Sequence, residues 1–165
     1  MVYRTSGQCQ LNLALYLQET FTKTNFMNTI FKQFDKNNIQ DGFLLGKSNL
    51  KWVFEKVSWH DGTVCWHIDN FPDFCYQATV NGKLIGFSLG FIEGDIGYVS
   101  WIVVENNFRR QGIAESLLKL TIEALKNRTN FISSHVRMDE ISNKLFSKVG
   151  FNEIDQIKTE MVLKC

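Results

Sequence analysis

The sequence is short of several things. It has a single proline in 165 residues and no low-complexity linker. No apolar run approaches the roughly 18 residues that a membrane-spanning helix needs. Neither sign of charge is in excess: 18 basic residues face 17 acidic ones, for a formal net charge of +1. That balance argues against a nucleic-acid coat and against a polybasic membrane anchor. The four cysteines, at 9, 65, 75 and 165, lack metal-ligand spacing such as CxxC, so no metal is expected. The opening MVYRTSGQCQ lacks the basic-then-apolar order of a secretory signal. Reduced thiols and a cytoplasmic or nuclear protein are the expectation.

What the chain does have is apolar bulk. Hydrophobic residues make up 44% of it and there are 14 phenylalanines, a composition that excludes intrinsic disorder. The length suits one domain, since a chain of about 150 residues buries roughly 68–70% of its unfolded surface. Residues 1–165 are therefore read as a single domain.

Hydrophobic spacing predicts the elements. Leucines at 11, 13, 15 and 17 alternate as in a strand. Met27, Ile30, Phe31 and Phe34 predict a helix over 24–36, capped by Thr24 or Asn25. Residues 48–58 fit a helix capped by Ser48, or a strand. FCYQATV (74–80), Asn81-Gly82 and KLIGFSLGFI (83–92) form a hairpin signal, because both central turn positions need positive φ. The turn at 93–95 leads to a third strand over 97–104. A broad apolar stripe from Ile113 to Leu125 predicts a long helix. A strand over 131–136, a short helix ending at Gly150 and two final strands complete the chain. The fold class is mixed α/β, in the order β-α-α-β-β-β-α-β-α-β-β, and not the strict alternation of a doubly wound fold.

One stretch carries chemistry. Val103-Val104-Glu105-Asn106-Asn107-Phe108-Arg109-Arg110-Gln111-Gly112-Ile113-Ala114 takes a strand through a basic loop into a helix start. The first amides of a helix lack intrahelical partners and carry partial positive charge. Gly112 and Ala114 are small enough to let a phosphate approach those amides, and Arg109, Arg110 and Gln111 add donors. The alternative is a solvated turn in which Gly112 serves only the bend. GxGxxG and GxxxxGK[ST] are both absent.

The order V-x-x-x-x-R-x-x-G-x-A, here Val104, Arg109, Gly112 and Ala114, resembles the acyl-CoA-binding signature of the GNAT acyltransferase superfamily. The run from Asn143 to Phe151, ending K-x-G-F, is similar to that superfamily's second motif. The resemblance covers roughly 70–163. It implies an acyl-CoA-binding core there, with 1–69 supplying the first strand, the helices and the wall of the acceptor site. It implies acetyl-CoA, or another acyl-CoA, as co-substrate and direct transfer to an amine in a ternary complex. The acceptor would be a small-molecule or protein amine, and a homodimer is allowed. The pyrophosphate would sit on the amides of 109–114, with Ile113 among them. The pantetheine arm would pair with the backbone of Ile102, Val103 and Val104, and a bulge in that strand would open the slot. A backbone N–H near Val103 would face the thioester oxygen and stabilise the charge that develops there.

The attacking amine must lose a proton to a base. Glu93, Asp95 and Glu105 are the nearby carboxylates in sequence, and His135 ends the adjacent strand; the carboxylates also read as solvated turn residues and His135 as a core or surface histidine. Where relatives have a proton-donating tyrosine this chain has Phe146, which leaves Tyr98, Ser142, Ser147 or an unprotonated thiolate. Asn143 is either a ligand of the cofactor or a helix-surface residue. Glu115 near the phosphates is unfavourable unless it points away, and Asp139 stands where relatives often have Asn. A finer similarity joins Phe71-Pro72, Phe74-Cys75, Ser134-His135-Val136 and Asn143-Lys144 to the C-terminal half of the glycine N-acyltransferase family. It implies a small-amine acceptor. Trp52, Trp59, Trp66, Phe71 and Phe74 either line an acceptor pocket or pack the core. The alternative to an enzyme is a CoA-binding module without catalysis.

Overall fold

The Asn81-Gly82 turn folds as its residues require, with φ of 50° and 80°. Both values lie in the left-handed region, where Asn and Gly are the residues least strained. The turn joins β2 (Tyr76–Val80) to β3 (Lys83–Glu93). A second tight turn around Gly94 leads into β4 (Ile96–Val104). The computed structural model describes residues 28–50, 59–135, 140–155 and 160–164. The strand read at 11–17 and residues 51–58, which include Trp52, lie outside them.

Among the described residues the sheet has seven strands, in the order β1-β2-β3-β4-β5-β7-β6. The remaining strands are β1 (Thr29–Gln33), β5 (Phe131–His135), β6 (Asn152–Asp155) and β7 (Glu160–Lys164). Neighbours are antiparallel except β4 and β5, which run parallel. The helices are α1 (Ile39–Asn49), α2 (Asp61–Asn70), α3 (Ile113–Lys126) and α4 (Glu140–Lys148). The long crossover α3 makes the parallel pair possible, because parallel neighbours need a connection that returns along the sheet.

The element order agrees with expectation, and the described part of the expected first helix is corrected. The helix expected over 24–36 is not formed: Thr29–Gln33 is β1, paired with β2 from Thr29↔Val80 to Gln33↔Tyr76. Its Thr-Ile-Phe run favours a strand, and the free edge of β2 supplies the ladder. Phe31 then packs beneath α3 while Phe34 joins the core under α1 and α2. In a helix the two would share a face. Ser48 does not cap a helix start. It stands in the last turn of α1 and its hydroxyl donates back to the carbonyls of Leu44 (2.9 Å) and Leu45 (3.1 Å).

Two apolar layers sandwich the sheet. On one face, Phe34, Leu45, Trp59, Val64 and Ile68 pack on Phe87, Leu89 and Val103. On the other, Leu117, Leu118, Ile122 and Leu125 of α3 and Phe146 of α4 cover Ile85, Val99, Val104 and Ile132. Trp59 and Phe74 are buried core residues, the packing alternative for both. Cys75 is also buried, and burial pushes its thiol up to about 12.

Candidate active site

The site is a parting of two strands. β4 pairs with β5 only at Ile96↔Phe131, Gly97↔Ile132 and Tyr98↔Ser133. Leu89 faces Trp101 while Gly90 faces Val99 across the β3–β4 ladder, so Ser100 is the extra residue of a bulge in β4. A bulge bends and twists the strand that carries it. Beyond it β4 diverges from β5, and Ser134 Oγ donates to the Val99 carbonyl at the vertex (2.8 Å). The gap is the mouth of a cleft of about 610 Å³. Residues 99–104 form one wall, Ser134 and His135 of β5 with Ser142, Leu145 and Phe146 of α4 form the other, and the 108–115 loop closes one end.

The loop has the geometry of an anion cradle. Arg110 and Gly112 have φ of 64° and 79°, and these two left-handed residues turn the chain into α3. The first intrahelical bond is Ser116 N–H to the Gly112 carbonyl (3.0 Å). The amides before Ser116 therefore lie at the helix start, beside the cleft-lining Gly112, Ile113 and Ala114. Arg109 braces this bend. Its Nε donates to the Val104 carbonyl (2.9 Å) and its Nη2 to Asn49 Oδ1 (3.0 Å), tying the loop to the end of α1. Glu115 lines the same end of the cleft with its carboxylate clamped by Lys119 (2.9 Å) and Lys148 (2.6 Å). Hydrogen bonds from Lys148 first, then Lys119, hold that carboxyl below its ordinary range. Two ammoniums against one carboxylate leave the region positive, which removes the objection to an acid near phosphates.

The other expected site residues scatter. Ile102, Val103, Val104, Arg109, Arg110 and Phe146 line the cleft; Gln111 and Asn143 do not. Gln111 donates to the Asn107 carbonyl (3.3 Å), and Asn143 Oδ1 is buried without a hydrogen-bond partner. Glu93 and Asp95 are exposed at the β3–β4 turn, at the opposite end of β4 from the cradle. Glu105 is engaged with Lys83 (3.0 Å). Tyr98 stacks on Phe91 (4.8 Å between centroids, 13° between planes) outside the cleft lining. Of the titratable candidates, His135 is at the cleft.

Sequence reading missed a pair. His67, on α2 and 5% exposed, places Nε2 3.0 Å from Ser100 Oγ and Nδ1 2.8 Å from the Thr63 carbonyl. Ser100 was legible as the polar interruption of a buried strand; nothing in the sequence around His67 marks it. Burial pushes this ring below the ordinary histidine value of 6.5, with the Thr63 bond opposing in part. The unfolded chain then binds the proton more readily. Stability is expected to hold above pH 6.5 and to fall as pH drops below it. His67→Gln should remove that component in urea titrations run across the range.

Among the described residues no group of His, Cys, Asp and Glu could hold a metal, and no helix is long and apolar enough to cross a membrane.

Comparisons with known proteins agree with this geometry. The model of the acetyltransferase (GNAT) family matches residues 44–151. N-alpha-acetyltransferase 30 of Dictyostelium discoideum is 39% identical over 62 residues, a stretch covering 35% of this chain and 34% of that protein. The match thus spans about a third of that relative's length. The structure of the PaiA N-acetyltransferase of Thermoplasma acidophilum in complex with coenzyme A superposes with a TM-score of 0.71 at 13% identity, covering 84% of this chain and 100% of that one. The NatC complex bound to Gag peptide and CoA gives 0.68 at 17% identity, covering 84% and 99%. The match over 44–151 runs through β4, its bulge, the cradle and α4, and by it the chain belongs to the GNAT acetyltransferase family.

Proposed function

We propose that the chain is an acyl-CoA-dependent N-acetyltransferase that binds acetyl-CoA in the β4–β5 cleft and passes the acetyl group directly to an amine. The observation that carries this is the parting of β4 from β5 after Tyr98↔Ser133, with the amides at the start of α3 at the end of the opened strand. Between the Val99 carbonyl, which accepts from Ser134, and the Val104 carbonyl, which accepts from Arg109, the edge of β4 faces the cleft and would pair with the amides of a pantetheine arm. The basic loop suits a pyrophosphate. A β4 amide near Val103 would steady the thioester oxygen. Phe146 offers no proton, so the thiolate leaves as the anion or takes one from Ser142, which lines the cleft.

The acceptor we favour is the α-amine of a peptide. Glu115 is the one carboxylate lining the described cleft, and it is clamped at the phosphate end. A polyamine would find no counter-charge there. An α-amine, with pKa about 7.7–8.0 against about 10.4 for lysine, is several hundred-fold more neutral at pH 7. The N-terminal acetyltransferases among its relatives support this choice.

Acetyl-CoA at about 100 times its Kd should stabilise the folded chain by about 2.7 kcal/mol, read as a rise in Tm. Thiol release should then be seen with free-amine peptides and not with N-blocked ones. The same panel, with glycine and spermidine added, separates the acceptor classes. A thermal shift without thiol release would instead support a CoA-binding module without catalysis, the reading that Phe146 favours. No shift at saturating CoA would overturn both.

A further inference from the structure

We propose that Ser100 and His67 form the proton-accepting relay of this site: Ser100 Oγ receives the proton of the acceptor amine while passing its own to His67 Nε2. The inference rests on the acetyltransferase reading above.

The tautomer follows from the partners. A backbone carbonyl only accepts, so the 2.8 Å contact to Thr63 requires the proton on His67 Nδ1. Nε2 is then left with its lone pair, and the Ser100 hydroxyl donates to it at 3.0 Å. That arrangement turns the lone pairs of Ser100 Oγ to other partners. Ser100 is half-buried and lines the cleft, whereas His67 is buried and absent from the lining. His67 is therefore reached from the cleft through Ser100. The pair sits at the bulge where β4 leaves β5, the place where a thioester threaded between the strands meets an acceptor entering from the α2 side.

The surroundings keep the ring neutral before reaction. Trp66 and Phe91 pack edge-on against it at 4.9 and 6.0 Å. On α2, Cys65 donates to Asp69, which also holds Lys36. From β4 the ionisable neighbour is Tyr98, stacked on Phe91. β3 carries no ionisable residue between Leu84 and Ile92. Asp41 and Lys47 of α1 are exposed, and Asp73, before β2, accepts from Gln33. A buried neutral imidazole of lowered basicity is matched to an α-amine, which needs less help to lose its proton than a lysine does.

The step balances. The amine nitrogen forms a bond to the thioester carbon, and the carbon–sulfur bond breaks with its electron pair leaving on sulfur. The nitrogen's proton goes to Ser100 Oγ, whose own proton goes to His67 Nε2. The imidazolium so formed keeps its Nδ1–H on the Thr63 carbonyl and yields a proton back through Ser100 to the thiolate or to water.

The test uses the full chain, acetyl-CoA and free-amine peptides beginning Ala, Met, Leu or Phe. Ser100→Ala and His67→Gln should keep the CoA-induced rise in Tm and lose about 100-fold or more in kcat/KM. Ser100→Thr, which keeps the hydroxyl, should recover most of it. The kcat/KM profile should carry one acid limb from the peptide α-amine, at about 7.7–8.0, and a second from His67 below pH 6.5; that second limb should vanish in His67→Gln. A structural role alone would not move that limb. Both variants turning over within about 3-fold of the native chain, below the range expected for a lost base, would overturn the relay while leaving the enzyme reading intact. So would an unchanged second limb, or CoA binding without thiol release from any peptide. Failure of the native chain to bind CoA would sink the acetyltransferase reading and the relay with it. Should His67→Gln not fold, the half-buried Ser100 variants decide alone.

Discussion

Gly112→Glu is expected to abolish the stabilisation of the folded chain by acetyl-CoA. Gly112 has φ of 79° and no side chain, and it opens the helix whose first amides face the cleft. A glutamate there does two things. It forces an L-residue into the left-handed region, at a cost of about 1–2 kcal/mol. It also sets a carboxylate where the anion would sit, beside Glu115, whose own charge already occupies Lys119 and Lys148. The combined loss of affinity should be about 100-fold or more, since one displaced charge-assisted contact alone is worth about 1.5–3 kcal/mol. Gly112→Ala separates the two effects. It carries the strain without the charge, so Tm should drop while most of the ligand-induced shift survives. The measurement is thermal unfolding with and without saturating acetyl-CoA. A full ligand shift in Gly112→Glu would refute the cradle.

Phe87→Ala should be the most destabilising single change in the α1–α2 half of the core. Phe87 is 0% exposed. Its ring stacks on Trp59 (6.1 Å, 18°) and takes the edge of Phe34 (6.0 Å, 76°). Trp59 in turn meets Trp101 of β4 edge-on at 5.0 Å and donates its indole N–H to the Phe43 carbonyl. Truncation loses the transfer free energy of the ring and leaves a cavity that three rigid aromatics cannot collapse to fill. The expected loss is about 3–5 kcal/mol, read from urea unfolding at unchanged slope. Because Trp101 lines the cleft, acceptor KM should rise along with it. A loss under about 1 kcal/mol would mean that the aromatic stack carries far less than large-to-small core substitutions normally do.

The comparison of residues with structure divides the chain unevenly. From Tyr76 to Lys126 the elements stand where their patterns put them, within a residue or two. Asn81-Gly82 announces its turn through backbone freedom, and the stripe from Ile113 to Leu125 announces its helix through spacing; both signals are local. The N-terminal part has weaker local signals. α1 contains Gly42 and Gly46, each costing about 1 kcal/mol in helix propensity. Both are buried because Phe34 and Val64 press against Gly42 and Trp59 against Gly46, contacts that tertiary packing makes. Likewise Met27, Ile30, Phe31 and Phe34 have helical spacing, and the edge of β2 overrides it at Thr29–Gln33.

The site divides the same way. The cradle was legible because its parts are contiguous: a strand, a basic bend with a glycine, and a helix start, all within 103–114. Its bracing was not, since Arg109 reaches 60 residues back to Asn49. Glu93 and Asp95 are near β4 in sequence yet far from the opened edge, because an 11-residue antiparallel strand carries its turn away from the cleft. Ser100 and His67 are 33 residues apart and meet because α2 packs on β3, the neighbour of β4. By itself, then, the sequence determined the central strands, the long helix and the basic bend before it, where neighbouring residues set backbone angle and spacing. Only the tertiary structure decided which strand parts from its neighbour, which charges are neutralised and which histidine faces the cleft wall. Those outcomes depend on burial and on hydrogen-bond partners supplied from distant parts of the chain.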